Sequence, residues 1–267
     1  MIAPGKVNLS LFVGAPRAED GLHPLVSVVQ AVTLADEVSM VPAARVEVIC
    51  PGIEGPNLAT RALAEFREAT GWAEPQRITI TKRIPVAAGM GGGSADAAAV
   101  LRLAARAAGV EDPALLHEVA FRIGADVPAL LDPGRVLMAG AGERVERLAD
   151  PELFGLVIVP SQATLSTPAV YAAFDQLGAA RPEAELAARE EEARAGAPPP
   201  PVNDLQDAAR SLCPAIDPVL EQVAAAGADH TLVSGSGPTV FGYFHDPEHA
   251  RAAAAQLPGA IAVEPLR

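Results

Sequence analysis

The sequence predicts an α+β protein built as two layers or domains that join near residue 150. Three observations point there. In the first half, runs rich in β-branched residues outnumber helical stretches. In the second half, strands and helices mix. Between the halves Asp150-Pro151 breaks the chain, and 267 residues suit one large or two modest domains, at roughly 100–200 residues each.

The elements follow in order. Val7–Val13 alternates and stops at Gly14, a short strand followed by the loop Ala15–His23. Val26–Leu34, Val38–Val41 and Val46–Cys50 read as three further strands. Asn57 opens a helix over Leu58–Thr70, with Leu58, Ala62, Leu63 and Phe66 at helical spacing and Gly71 as its stop. Arg77–Ile84 alternates isoleucines with polar residues, a strand that Pro85 ends. A glycine-rich loop leads into an alanine-rich helix over Ser94–Ala108. Asp112-Pro113 places an N-cap before a first-turn proline, starting a helix that runs to about Arg122. Phe154–Val159 reads as a buried strand and Arg181–Arg194 as a charged helix. Pro198–Pro201 favours polyproline II, a semi-rigid surface connection. Leu205–Leu212 and Pro218–Ala226 are helices; Thr231–Val233 and Thr239–Phe244 are strands around a Gly-Ser-Gly turn; Pro247–Leu257 closes the chain as a helix.

Composition narrows the function. Lys and Arg number 20 against 33 Asp and Glu, a net charge of −13. That argues against nucleic-acid or anionic-membrane surfaces, which need a positive face. An anionic ligand must be held by a local device: backbone amides, a helix N-terminus or a few placed cations. Cys50 and Cys213 lie far apart with no CxxC pair, so the expectation is two free thiols in a reducing compartment. No signal-peptide pattern or long apolar run is present. A soluble, cytoplasmic protein, monomeric or weakly dimeric, is expected.

Four stretches carry candidate chemistry. Pro85-Val-Ala-Ala-Gly89-Met90-Gly91-Gly92-Gly93-Ser94-Ala-Asp96 lies between a strand and a helix. Small residues let backbone N–H groups close on a phosphate, and the helix adds about half a positive charge. The spacing is neither a dinucleotide fingerprint, since Ser94 takes the third glycine's place, nor a Walker A loop, since no lysine follows. In Gly124-Ala-Asp126-Val-Pro128 a carboxylate sits on stiff backbone, which suits a fixed general base and equally suits an ordinary turn. Gly5-Lys6-Val7-Asn8 opens the first strand, and Ser234-Gly235-Ser236-Gly237-Pro238-Thr239 is either a plain hairpin or a second ligand turn. His245-Asp-Pro-Glu248-His249 matches an inverted zinc-protease string. Asp246-Pro247 reads as a helix start that leaves His245 outside, so no metal site is expected.

The order of these stretches, over nearly the whole chain, resembles the three motifs of the galactokinase, homoserine kinase, mevalonate kinase and phosphomevalonate kinase (GHMP) superfamily. Asp20-Gly21-Leu22-His23, Gly124-Ala125-Asp126-Val127-Pro128 and Asn203-Asp204-Leu205 resemble the branch that phosphorylates a cytidine diphosphate ester of methylerythritol in the non-mevalonate isoprenoid pathway. The resemblance implies a domain like ribosomal protein S5 domain 2 over residues 1–150 and a ferredoxin-like domain over 151–267. It implies ATP and Mg²⁺ as cofactors, and transfer to the substrate's 2-hydroxyl.

Residue by residue, it makes Asp126 the base that takes the hydroxyl proton and Lys6 the neighbouring cation. Gly89, Met90, Gly91, Gly92, Gly93 and Ser94 form the phosphate loop after Pro85. Asn57, Leu58 and Lys82 fall in the adenine pocket. Asn8 and His23 match substrate contacts, His23 at the cytosine edge, and Thr167 and Tyr171 the wall of the cytidine site. Leu22 stands where the branch usually has an aromatic residue, which leaves Tyr171 to stack on the base. Ala95 replaces a common second serine, so a hydroxyl contact there falls to Ser94. The region 41–57 is shortened. The alternatives are another small-molecule kinase of the superfamily, acting on mevalonate, homoserine or a sugar, and a non-catalytic nucleotide-binding relative.

Overall fold

The structure, a computed structural model, describes residues 1–53, 57–86, 89–161 and 163–267. Its first sheet holds β1 (Ile2–Val13), β2 (Leu25–Pro42), β3 (Glu47–Ile49), β4 (Gln76–Thr81), β5 (Arg135–Gly140) and β6 (Arg144–Arg147). The 18-residue β2 is its spine. β1 pairs along one edge of β2; β5 takes Leu25–Gln30 and β4 takes Glu37–Pro42 on the other. Three helices cover one face of this sheet: α1 (Leu58–Thr70), α2 (Gly92–Ala108) and α3 (Pro113–Ile123). Asn57 caps α1 through a bond from the Thr60 amide (2.9 Å), and Asp112 caps α3 through Leu115 (3.0 Å). Phe66, Leu63 and Leu101 are wholly buried between the helices and Ile78 and Ile80 of β4. Each such side chain contributes roughly 1.5–3 kcal/mol by leaving water.

The second sheet, β7 (Gly155–Val159), β8 (His230–Val233), β9 (Val240–Phe244) and β10 (Ile261–Val263), is antiparallel throughout, in the order β10-β7-β9-β8. Between its first and second strands run α4 (Thr167–Leu177), α5 (Glu183–Arg194), α6 (Gln206–Leu212) and α7 (Ile216–Ala225); α8 (Pro247–Ala254) joins its third and fourth. That order and the helical crossovers are those of the split β-α-β, ferredoxin-like arrangement.

β1 also binds the second half of the chain. Leu11 N–H donates to Val202 (2.8 Å) and its carbonyl accepts from Asp204 (3.0 Å). The Asp204 carboxylate accepts from Val13 N–H (3.0 Å) and is gripped by the Arg181 fork (3.0 and 2.7 Å). The C-terminal segment returns to β2 through Thr33 to Glu264 (2.9 Å) and Leu266 to Ala31 (2.8 Å).

Several expectations need correction. The strands expected at Val26–Leu34 and Val38–Val41 are one strand. The polar step Ala35-Asp36-Glu37 does not interrupt it, because the buried Asp36 carboxylate accepts from the amides of Arg83 (2.6 Å) and Ile84 (2.8 Å). Those same bonds turn the chain out of β4 at Thr81, not at Ile84. Helix α2 starts at Gly92, ahead of Ser94, and α7 starts at Ile216, ahead of Pro218, where a proline fits the first turn. β5, β6, α4 and β10 had no reading. β6 and β10 span four and three residues, too short to show a period.

Candidate active site

Two cavities meet at the N-terminus of α2. One, about 690 Å³, is lined by Lys6, Asn8, His23, Asp126, Tyr171 and Ser236 among others. Its neighbour, about 510 Å³, is lined by Asn57, Leu58, Lys82, Pro85, Gly92 and Asp96 among others. Gly89 and Gly91 line both.

The shared wall is built from glycine for steric reasons. Gly89 (φ 64°) and Gly91 (φ 65°) are left-handed, and a Cβ on Gly91 would sit 3.2 Å from the Lys6 side chain. A Cβ on Gly89 would lie 2.7 Å from the Ser234 carbonyl. Gly91 caps α2 without any side-chain bond, and the helical ladder begins with Ala95 N–H to the Gly91 carbonyl (2.8 Å). The amides of Gly92, Gly93 and Ser94 therefore lack helical partners at the positive end of the dipole, facing cavity space. Residues 87–88 of this loop lie outside the described residues, as do 54–56 of the shortened region.

On the other side of Gly91, Lys6 and Asp126 meet at 3.3 Å between Nζ and Oδ2. The ammonium is nearly buried, and the carboxylate is about a third exposed, open to the cavity. β1 carries Lys6, and its amide donates to the Met90 carbonyl (2.9 Å), which ties the lysine to the glycine loop. Asp126 sits in the turn between α3 and the short 3₁₀ helix Pro128–Leu130, closed by Val127 N–H to Gly124 (3.1 Å). Asn8 accepts from Lys6 Nζ (2.7 Å) through Oδ1 and donates to Ser27 Oγ (2.8 Å) through Nδ2. Asn8 lines the cavity, but its amide chiefly orients the lysine. Ser234 Oγ donates to the Gly89 carbonyl (3.0 Å), so the late glycine turn docks on the early one. Asn203 holds that turn from behind, donating to Val233 (2.7 Å) and Gly235 (2.8 Å).

At the far end of the larger cavity, His23 Nδ1 faces the Gly14 carbonyl (2.8 Å) and its ring lies 4.9 Å from Tyr171. Burial, then the Asp126 charge, pushes the Tyr171 hydroxyl up to about 12, so it stays protonated. Thr167 Oγ1 and Ser236 Oγ share a hydrogen bond (2.9 Å).

In the smaller cavity Lys82 Nζ bonds Asp36 and also Asp96 (2.8 Å). Burial opposes the Lys82 charge, but the two carboxylates outweigh it and hold its pKa above the ordinary lysine value. Asp96 is raised to about 6, first by burial and in part by Asp36, with Lys82 opposing. Its Oδ1 has no hydrogen-bond partner.

Relatives share this whole arrangement. Residues 57–133 match the family described as GHMP kinases N terminal domain, and residues 180–262 match GHMP kinases C terminal. A 4-diphosphocytidyl-2-C-methyl-D-erythritol kinase of Anaeromyxobacter sp. (strain K) is 42% identical over 270 residues, 97% of this chain and 84% of that one. The chain belongs to the 4-diphosphocytidyl-2-C-methyl-D-erythritol kinase branch of the GHMP kinases. A Nocardioides sp. (strain ATCC BAA-499 / JS614) protein of that name is 42% identical over 281 residues, 97% of this chain and 93% of its own. A crystal structure of a 4-(cytidine 5'-diphospho)-2C-methyl-D-erythritol kinase superposes with a TM-score of 0.81 at 37% identity, covering 99% and 98% of the two chains.

This GHMP kinase is thus a small-molecule kinase whose family uses ATP as phosphate donor. Its sixteen expected site residues all line one cavity or the other, except Thr167 and Tyr171's neighbours in sequence, which point elsewhere on α4. The zinc-like string falls apart: α8 starts at Pro247, His245 precedes it, and each histidine faces its own aspartate, Asp229 and Asp246 (both 3.0 Å). Sequence reading missed Asp36, Ser27 and Asp175, which lie in no motif, and gave Asp96 no role although it stands two residues after Ser94. No helix of the described residues is long and apolar enough to cross a membrane.

Proposed function

We propose that this kinase transfers the γ-phosphoryl group of ATP to the 2-hydroxyl of 4-diphosphocytidyl-2-C-methyl-D-erythritol, a step of the non-mevalonate isoprenoid pathway. The observation that carries the reading is the Lys6–Asp126 couple, 3.3 Å apart, beside the glycine wall that separates two cavities. A phosphoryl transfer needs a donor and an acceptor aligned across one point, with charge offset there. ATP occupies the smaller cavity, its base near Asn57, Leu58 and Lys82 and its phosphates on the amides of residues 89–94. The ester occupies the larger one.

Asp126 takes the hydroxyl proton and Lys6 offsets charge beside the reacting oxygens, keeping the carboxylate ionised. Asn8 orients Lys6, His23 and Tyr171 hold the base, and Thr167 lies by the diphosphate. The cations lining the cavities each face a carboxylate: Lys6 with Asp126, Lys82 with Asp36 and Asp96, Arg61 with Glu65. Charge on the phosphates therefore needs a cation beyond these side chains, and Mg²⁺ held on phosphate oxygens fits; when bound it neutralises the moving phosphoryl group. Residues 1–150 and 151–267 act as the two domains, a division supported by the gap between β6 and β7. Free Cys50 and Cys213 support a reducing, cytoplasmic setting, and the protein works as a monomer or weak homodimer.

The test is ADP release across a substrate panel. Turnover of the cytidine diphosphate ester, and not of mevalonate, homoserine or galactose, is expected. Turnover of mevalonate without the ester would overturn the assignment.

A further inference from the structure

Along α4, Thr167, Tyr171 and Asp175 recur at every fourth residue, and all three line the larger cavity. Helical spacing puts them on one face, with about 12 Å from first to last at 1.5 Å per residue. The stripe begins beside the glycine turns, where Thr167 bonds Ser236. It ends at Asp175, whose Oδ1 lies 3.5 Å from His23 Nε2. His23 Nδ1 faces a carbonyl, an acceptor only, so that nitrogen carries the ring hydrogen. In the neutral ring Nε2 is then a lone pair. A lone pair and a carboxylate oxygen facing each other across 3.5 Å attract nothing from one another; a donor with two hydrogens, placed beside both, satisfies each.

We propose that Asp175 is a specificity-determining residue: with His23 Nε2 it accepts from the exocyclic amine of the substrate's base and selects cytosine over uracil. The inference rests on the reading that a cytidine diphosphate ester is the substrate. Cytosine presents an amine where uracil presents a carbonyl oxygen. Against two acceptors the carbonyl leaves all three oxygens and nitrogens unsatisfied and repelled, whereas the amine pairs with both. The placement also separates charges: the carboxylate stands at the end of the stripe away from the glycine turns, where the diphosphate lies.

The experiment compares kcat/KM for the cytidine and uridine diphosphate esters in the wild type, Asp175→Asn and Asp175→Ala, with calorimetric titration of CDP and UDP as a readout free of turnover. Asp175 is half-exposed on its helix, so both variants are expected to fold. The wild type should favour the cytidine ester at least tenfold. Asp175→Asn, which offers a donor as well as an acceptor, should cut that preference fivefold or more, mostly through KM, and Asp175→Ala should weaken CDP more than UDP. A wild type that accepts both esters equally, or variants whose preference stays within twofold of wild type, would overturn the inference and leave the kinase assignment standing. A wild type that turns over neither ester would overturn that assignment, and the inference with it.

Discussion

Replacing Asp126 with asparagine removes the proton acceptor while keeping the shape of the turn. General-base catalysis is worth about 10²–10⁴ in rate, or roughly 3–5 kcal/mol of barrier at 1.36 kcal/mol per decade. The structure says where the loss should appear. Asp126 lines the larger cavity and not the smaller, so ATP affinity should change less than threefold. Lys6 keeps its bond to Asn8 (2.7 Å), so the buried ammonium is not left without a partner. The gross attraction at 3.3 Å is about 5 kcal/mol at an effective dielectric constant near 20. Because the carboxylate is a third exposed, solvent screening leaves only about 1 kcal/mol of net stability at stake. Single-turnover phosphoryl transfer at saturating ATP and ester is the assay, with ATP titration and thermal melting alongside. A rate above one tenth of wild type would show that Asp126 is not the base. A rate loss matched by an equal loss of ATP affinity would show that it acts through the nucleotide.

Two further outcomes follow from buried polar groups. Asn203→Ala leaves the carbonyls of Val233 and Gly235 without their donor, which should cost about 2–4 kcal/mol and lower the melting temperature by roughly 5–15 °C; a shift under 2 °C would mean the glycine turn holds itself. Asp96 binds its proton more tightly folded than unfolded, with a pKa of about 6 against 3.8. Its contribution therefore falls as pH rises from about 4 to 6 and stays unfavourable above that. Asp96→Asn abolishes this titration, so its melting temperature relative to wild type should climb between pH 4 and pH 7, and a flat difference would refute the shift.

Motif spacing carried the site better than periodicity carried the fold. The glycine loop and the turn at Asp126 were readable because each needs unusual local backbone, and such backbone leaves glycine and proline in the sequence. α1 matched to the residue, since Asn57 and Gly71 mark its ends. β2 was misread because Asp36 looks like a turn residue, and only Arg83 and Ile84, far along the chain, make it a strand residue. Asp175 and Ser27 were invisible for a related reason: each acts through a partner on another element, His23 and Asn8, and no local pattern encodes that contact. The aromatic lost at Leu22, itself largely exposed, marks the one place where the substrate wall departs from the branch's usual pattern.

Charge explains why so acidic a chain binds two polyphosphates. Lys6 and Asp126 sum to 1 − 1 = 0, and Lys82 with its two carboxylates to 1 − 2 = −1 when Asp96 is ionised. Side chains alone thus make the junction of the cavities neutral or negative, and a phosphate would gain nothing from them. The attraction has to come from backbone: three unpaired amides and the dipole of a 17-residue helix, aimed at the point both cavities share. That arrangement has a catalytic consequence. Lysines free to pair with ground-state phosphates would bind ATP tightly without favouring its reaction. Lys6, held by Asn8 and Asp126, is instead fixed where the proton leaves, so its charge acts on the oxygen that becomes nucleophilic and not on the bound nucleotide at large.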